Sequence, residues 1–119
     1  KIVVEHIGYP FSEHLFTMMI NDENLWTDLA MLYKRPIWMT WNMVMAKEMG
    51  GLDGVMFATD FVAPNYDLIG SEPVKDLLGW IDLVQNGMNK ICRDSGWPQF
   101  TEKEINGILH DNAARLYGL

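Results

Sequence analysis

Val55-Met56-Phe57-Ala58-Thr59-Asp60 is a short apolar run that ends abruptly in a carboxylate. Gly54 precedes it and a loop follows, so the run reads as a buried parallel strand over Gly54 to Thr59. Asp60 then stands where the strand leaves the sheet at its carboxyl end. In parallel α/β folds that end is where chemistry is placed, because the sheet interior is filled with side chains. Two other stretches repeat the theme. Lys1-Ile2-Val3-Val4-Glu5-His6 ends in an imidazole, and Asn24-Leu25-Trp26-Thr27-Asp28 ends in a second carboxylate.

Working outward, Lys1 to Glu5 predicts a first strand, broken by Gly8 and Pro10. Ser12 is the expected N-cap of a helix, with Phe11 and Phe16 spaced as a hydrophobic staple. Leu15, Phe16, Met19 and Ile20 supply its apolar stripe, which closes near Asn21-Asp22. Leu25 to Leu29 predicts a second strand. Pro36 suits a first helical turn, and Ile37, Trp38, Trp41, Val44 and Met45 recur at helical spacing as far as Met49, before Gly50-Gly51. The methionines at 39, 43, 45 and 49 fit either an adaptable binding surface or core filling, and core filling is the preferred reading.

Beyond Asp60 the sequence predicts a loop over 61–70 with Pro64 and a Tyr66-Asp67 pair. A helix follows, capped by Ser71, with Pro73 in its first turn and a stripe of Val74, Leu77, Leu78, Ile81 and Val84. Asn86-Gly87 interrupts it, and Met88, Ile91 and Cys92 continue its phase to a turn at Asp94 to Pro98. Thr101 to Glu104 is a capping box. Ile105, Ile108 and Leu109 line the helix it opens, and Asn112 shares their face, where a buried amide requires backbone partners in an adjacent turn. Strand and helix alternate through the third strand, and each connection is long enough for a crossover, so the sheet should be parallel. Right-handed crossovers bring the strand ends to one rim, where His6, Asp28 and Asp60 converge.

A chain of 119 residues, 49% of them hydrophobic, builds one modest domain with a packed core. Its net charge of -7 argues against nucleic acid, whose phosphates want Lys and Arg. No basic amphipathic face suggests a membrane surface. The single cysteine, Cys92, reads as a core residue on a helix face, and a lone thiol fits a reducing, cytoplasmic setting. No apolar run is long enough to span a bilayer, and the start does not read as a signal peptide. Lys1 enters a strand at once, so the chain is expected to be a piece of a longer protein or a processed product.

A neutral imidazole moves a proton near pH 7 or binds a divalent metal; a carboxylate binds the same metal or acts as a base. One of each on a shared rim suits metal-assisted hydrolysis or decarboxylation. A catalytic zinc, however, commonly takes three protein ligands. The histidines are His6, His14 and His110, and no His-x-His pair exists. A lone histidine at a strand end is more often a hydrogen-bonded structural residue than a catalyst. Asp60 serves equally well as a cap for the loop that follows it, and Asp28 is the weaker candidate because its strand is mixed. His14 and His110 lie within helices and read as surface or boundary residues. Glu5, one residue out of phase with His6, should point to the other side of its strand.

Three segments resemble a known family. Phe57-Ala58-Thr59-Asp60-Phe61 with Pro64 resembles the F-G-S/T-D-Y/F-P segment of the amidohydrolase superfamily, in the branch of the aminocarboxymuconate-semialdehyde and resorcylate decarboxylases. Ile2 to Gly8 resembles that branch's strand ending in H-x-G. Ile108 to Leu119 is similar to its closing helix, with the signature N-A-x-R/K-L/F-F/Y-G-L. Ala58 departs from the common glycine, and Val62-Ala63 push Pro64 two positions later than usual. The resemblance implies a (β/α)8 barrel whose last three strands this chain supplies, with flanking helices. It implies that His6 donates or accepts a proton beside a metal, and that Asp60 binds that metal or handles the proton of its water. Asp28 falls on the seventh strand with no firm role, and Asn112 is structural. The divalent metal, zinc by expectation, draws its other ligands from upstream, so this chain alone is expected to be inactive. The implied substrate is a small carboxylated or cyclic molecule. A second reading is a non-catalytic module that forms a homo-oligomer through two open sheet edges.

Overall fold

Three short strands pair in parallel in the order of the chain: β1 (Ile2–Val4), β2 (Leu25–Asp28) and β3 (Val55–Met56). This computed structural model describes residues 1–60 and 72–119. Ile2 lies opposite Leu25, and Thr27 opposite Val55. Each strand is shorter than its apolar run. β1 stops at Val4 and not at Glu5, and β3 stops at Met56, short of Thr59. The expected loop with Pro64 and Tyr66-Asp67, the Ser71 cap, and Phe61 of the family-like segment lie outside the described residues.

Helix α1 (Ser12–Met19) turns Leu15 and Phe16 into the core. Ser12 is not its cap. The serine lies inside the first turn and is buried, Phe11 holds the N-cap position, and no side chain caps the helix. The staple is absent too, since Phe11 is exposed and meets the His14 ring edge-on. Helix α2 (Pro36–Met49) begins at its proline and ends at Gly50, whose φ of 83° gives the left-handed cap that Gly50-Gly51 predicts. Of the expected stripe, Val44 is buried and Trp38 and Met45 pack on the core, but Ile37 and Trp41 stay exposed, and Met39, Met43 and Ala46 complete the buried face. Met39 and Met43 are fully buried, and Met45 and Met49 pack on the core, as core filling requires.

Helix α3 (Pro73–Asp82) runs through a π turn, Leu83–Gly87, into α4 (Met88–Ser95). Trp80, Val84, Met88 and Cys92, spaced by four, form its buried ridge. Val84, Met88 and Cys92 are thus in the core as the expected stripe and its continuation require, whereas Val74, Leu77 and Leu78 are a correction: all three are exposed. No residue from 73 to 79 is buried, so the buried ridge begins only at Trp80. Burial pushes the Cys92 thiol above its ordinary pKa, against a smaller opposing pull from Lys47, so the thiolate form is disfavoured.

Helix α5 (Glu102–Asn106) opens with the expected capping box, Thr101 Oγ1 accepting from the Glu104 amide at 3.2 Å and Glu104 Oε2 accepting from the Thr101 amide at 2.7 Å. A second π turn, Gly107–Asp111, leads into α6 (Asn112–Tyr117). This closing helix is stitched to the free side of β3. Met56 turns its backbone groups toward β2, so Val55 and Phe57 turn theirs outward. The Phe57 N–H donates to the Ile108 carbonyl at 2.7 Å, and Asn112 Nδ2 donates to the carbonyls of Val55 at 2.7 Å and Leu52 at 3.2 Å. The helix thus does a strand's work at that edge. The expectation of two open edges is corrected to one, at β1, where Val3 directs its amide and carbonyl away from β2 and no backbone partner meets them among the described residues.

Candidate active site

The carboxyl ends of β1, β2 and β3 share one rim, because the strands are parallel and adjacent. Asp28 is the last residue of β2, His6 and Asp60 lie in the segments that leave β1 and β3, and the structure brings the three together. His6 Nε2 lies 3.6 Å from Asp60 Oδ2, with both side chains partly exposed. That separation is ion-pair range and slightly beyond a direct hydrogen bond. Asp28, buried at the end of β2, does not present its Oδ1 to the imidazole. It accepts instead from the backbone amides of His6 at 3.1 Å and Ala30 at 3.0 Å.

The backbone explains how His6 reaches Asp60. After Val4 the chain enters a left-handed turn in which His6 (φ 57°), Ile7 (φ 50°) and Gly8 (φ 67°) follow one another. Each L-residue there costs roughly 1–2 kcal/mol, most for the β-branched Ile7. Full burial of Ile7 offsets about 1.5–3 kcal/mol of that. Gly8 is required on two counts, since a Cβ there would lie 2.9 Å from Leu15 Cδ2 in a conformation that disfavours side chains. Asp60 is also left-handed, at φ 52°, a region that aspartate tolerates better than most residues. Both members of the pair are thus held in sparsely populated backbone states, a pattern that clusters at functional sites.

Glu5 is a correction. Its carboxylate Oε2 stands 3.9 Å from His6 Nε2, on the same side, though it remains largely exposed. Strand alternation does not reach it, because the turn begins at Glu5 itself. The signal lay in the sequence: Gly8 and Pro10 close behind so short a strand mark an early break. His14 stands edge-on to Phe11, and His110 Nδ1 lies 2.9 Å from Asp111 Oδ1. Behind the rim, Phe57, Trp80 and Tyr33 form an aromatic wall, Trp80 meeting Phe57 at 5.3 Å and Tyr33 at 5.6 Å. Burial first, and then the neighbouring Asp76, raise the Tyr33 pKa, so its phenol stays protonated and able to donate.

An imidazole between two carboxylates can accept a proton and have the resulting charge stabilised. It does not make a metal centre. Among the described residues no group of three His, Cys, Asp or Glu side chains is placed to hold an ion, whereas a catalytic zinc takes three protein ligands. Among the described residues no helix is long and apolar enough to cross a membrane.

A family model described as Amidohydrolase matches residues 1–119. No curated protein and no solved structure matches.

Proposed function

The chain belongs to the amidohydrolase family, and from that premise we propose that it carries the proton-handling side of a hydrolase-type active site. The observation that supports this reading is the approach of His6 Nε2 to Asp60 Oδ2, 3.6 Å apart over the carboxyl ends of the parallel strands. His6 shuttles a proton to or from a small carboxylated or cyclic substrate, and Asp60 balances the imidazolium that forms. General acid–base catalysis of this kind contributes about 10²–10⁴-fold. The finer assignment is to the decarboxylase-containing branch, as hydrolase or non-oxidative decarboxylase, and rests on the segments Phe57 to Phe61 with Pro64, Ile2 to Gly8 and Ile108 to Leu119.

Members of this family typically use a divalent metal. The residues described here do not make its site, so we offer Asp60 as one ligand, with the rest supplied by a longer protein of which this chain is the carboxyl-terminal part. Two measurements test the proposal. Calorimetric titration of the chain with zinc should give no tight one-to-one site; tight binding that disappears in both His6→Asn and Asp60→Asn would overturn the incomplete-site reading. In a chain extended upstream, turnover of small aromatic carboxylic acids (carbon dioxide release) or cyclic amides (ring opening) should fall at least about 100-fold in His6→Asn. Unchanged turnover in that variant would remove His6 from the chemistry.

The open edge of β1 favours one other reading, a non-catalytic module that pairs with a second copy through Val3. Light scattering separates the two: a defined oligomer lost in Val3→Pro supports it, and a monomer at all concentrations rejects it.

A further inference from the structure

We propose that Asp28 is a positioning residue, whose carboxylate locks the left-handed turn that presents His6 to Asp60. The inference rests on the His6–Asp60 reading but assigns a role to a third residue, whose Oδ1 meets the His6 backbone and not its imidazole. Asp28 is buried at the last position of β2, next to the point where β1 gives way to the turn. Its Oδ1 accepts two backbone N–H groups, one from Ala30 in its own strand exit and one from His6, 22 residues away in sequence.

The bond to His6 has a specific consequence. It falls on the first residue of the run His6, Ile7, Gly8 in which φ is positive throughout. An amide that points to Asp28 fixes the peptide plane before His6, and that plane decides whether the imidazole swings toward β3 or away from it. Without the acceptor, the strained conformation loses this polar tether from β2, and an extended strand continuation becomes competitive. In that continuation successive side chains alternate across the sheet, so the ring leaves the rim position from which it reaches Asp60. The carboxylate is suited to this role because a charged acceptor makes stronger bonds to backbone N–H groups than a neutral one, and because Oδ1 takes both amides at once. On this account Asp28 acts through His6, and it is not catalytic.

The test is nuclear magnetic resonance on the full chain, with Asp28→Asn, which keeps an acceptor oxygen, and Asp28→Ala, which removes it. In the wild type the His6 amide should exchange with deuterium at least about ten-fold more slowly than an open-chain amide. It should keep most of that protection in Asp28→Asn and lose it in Asp28→Ala. The second readout is the shift of the His6 ring resonances when Asp60 is changed to Asn. That response should be present in the wild type and in Asp28→Asn and fall at least three-fold in Asp28→Ala. A purely structural Asp28 would lower the melting temperature and leave this ring response intact, which would overturn the proposal. Should Asp28→Ala fail to fold, the wild type still decides: a His6 amide that exchanges at the open-chain rate overturns it. Failure of the site reading looks different. There the His6 ring would not respond to Asp60→Asn even in the wild type, whatever the His6 amide does.

Discussion

Asn112 donates from one amide nitrogen to two carbonyls, those of Val55 and Leu52, and is almost fully buried while doing so. Its replacement by alanine leaves the Val55 carbonyl unpaired, while that of Leu52 still accepts from the Val55 amide, and should cost about 2 kcal/mol in denaturant unfolding. Asn112→Asp should cost more, because a carboxylate has no N–H to give and would face two carbonyl oxygens. A second residue-scale outcome concerns Glu104. Burial alone would raise its pKa, but hydrogen bonds from Lys47, and from Thr101, outweigh that and hold it below the ordinary value of 4.5. A carboxylate with a depressed folded pKa stabilises the fold fully above its unfolded value. That contribution is lost as pH falls from about 4.5 through the lower folded value. Thermal melts between pH 6 and pH 3 should therefore show a steeper acid decline in the wild type than in Lys47→Met. Both residues announce themselves in the sequence: Glu104 three places after Thr101, and Asn112 in phase with Ile105 and Ile108.

At the scale of the element, the turn after β1 and the end of α2 each rest on a left-handed glycine, yet they should respond differently to substitution. Gly50→Ala meets open space and should cost about 1 kcal/mol from backbone strain alone. Gly8→Ala carries the same strain and also drives a Cβ to 2.9 Å from Leu15 Cδ2, so it should cost clearly more, with a lower melting temperature than Gly50→Ala. The contrast marks what was legible. Gly50 follows a 14-residue helix with regular spacing, and local chemistry alone dictates its conformation. Gly8 and Pro10 announce a break after β1, but the left-handed form of the Glu5–Gly8 turn was not legible, because nothing local asks His6 and Ile7 to adopt positive φ. What holds them there is a carboxylate on β2 and a buried pocket for Ile7, both tertiary. The parallel order of the strands and the meeting of His6 with Asp60 followed from crossover lengths. The side on which Glu5 lies did not, since alternation holds only while the strand lasts.

Across the whole molecule the same division appears in the helix pair after β3. Val84, Met88 and Cys92 read as core by spacing and are buried, but Val74, Leu77 and Leu78, read as part of the same stripe, are exposed, and Trp80 joins the buried ridge instead. Leu78→Ala should leave stability within about 0.5 kcal/mol, and Met88→Ala should cost about 2–5 kcal/mol. Chemical denaturation checks both, and a reversal of that order would return the core to the other face. Spacing tells which residues share a ridge; which ridge faces inward is set by Trp80 seated against Phe57 and Tyr33, partners far away in the chain. The closing helix carries one more implication. A layer with two raw margins can recruit copies without limit and lengthen into a fibre. Here the Ile108 carbonyl and the Asn112 amide seal one margin, so accretion has a single direction left. Two copies meeting back to back would exhaust it, and growth would halt at a pair.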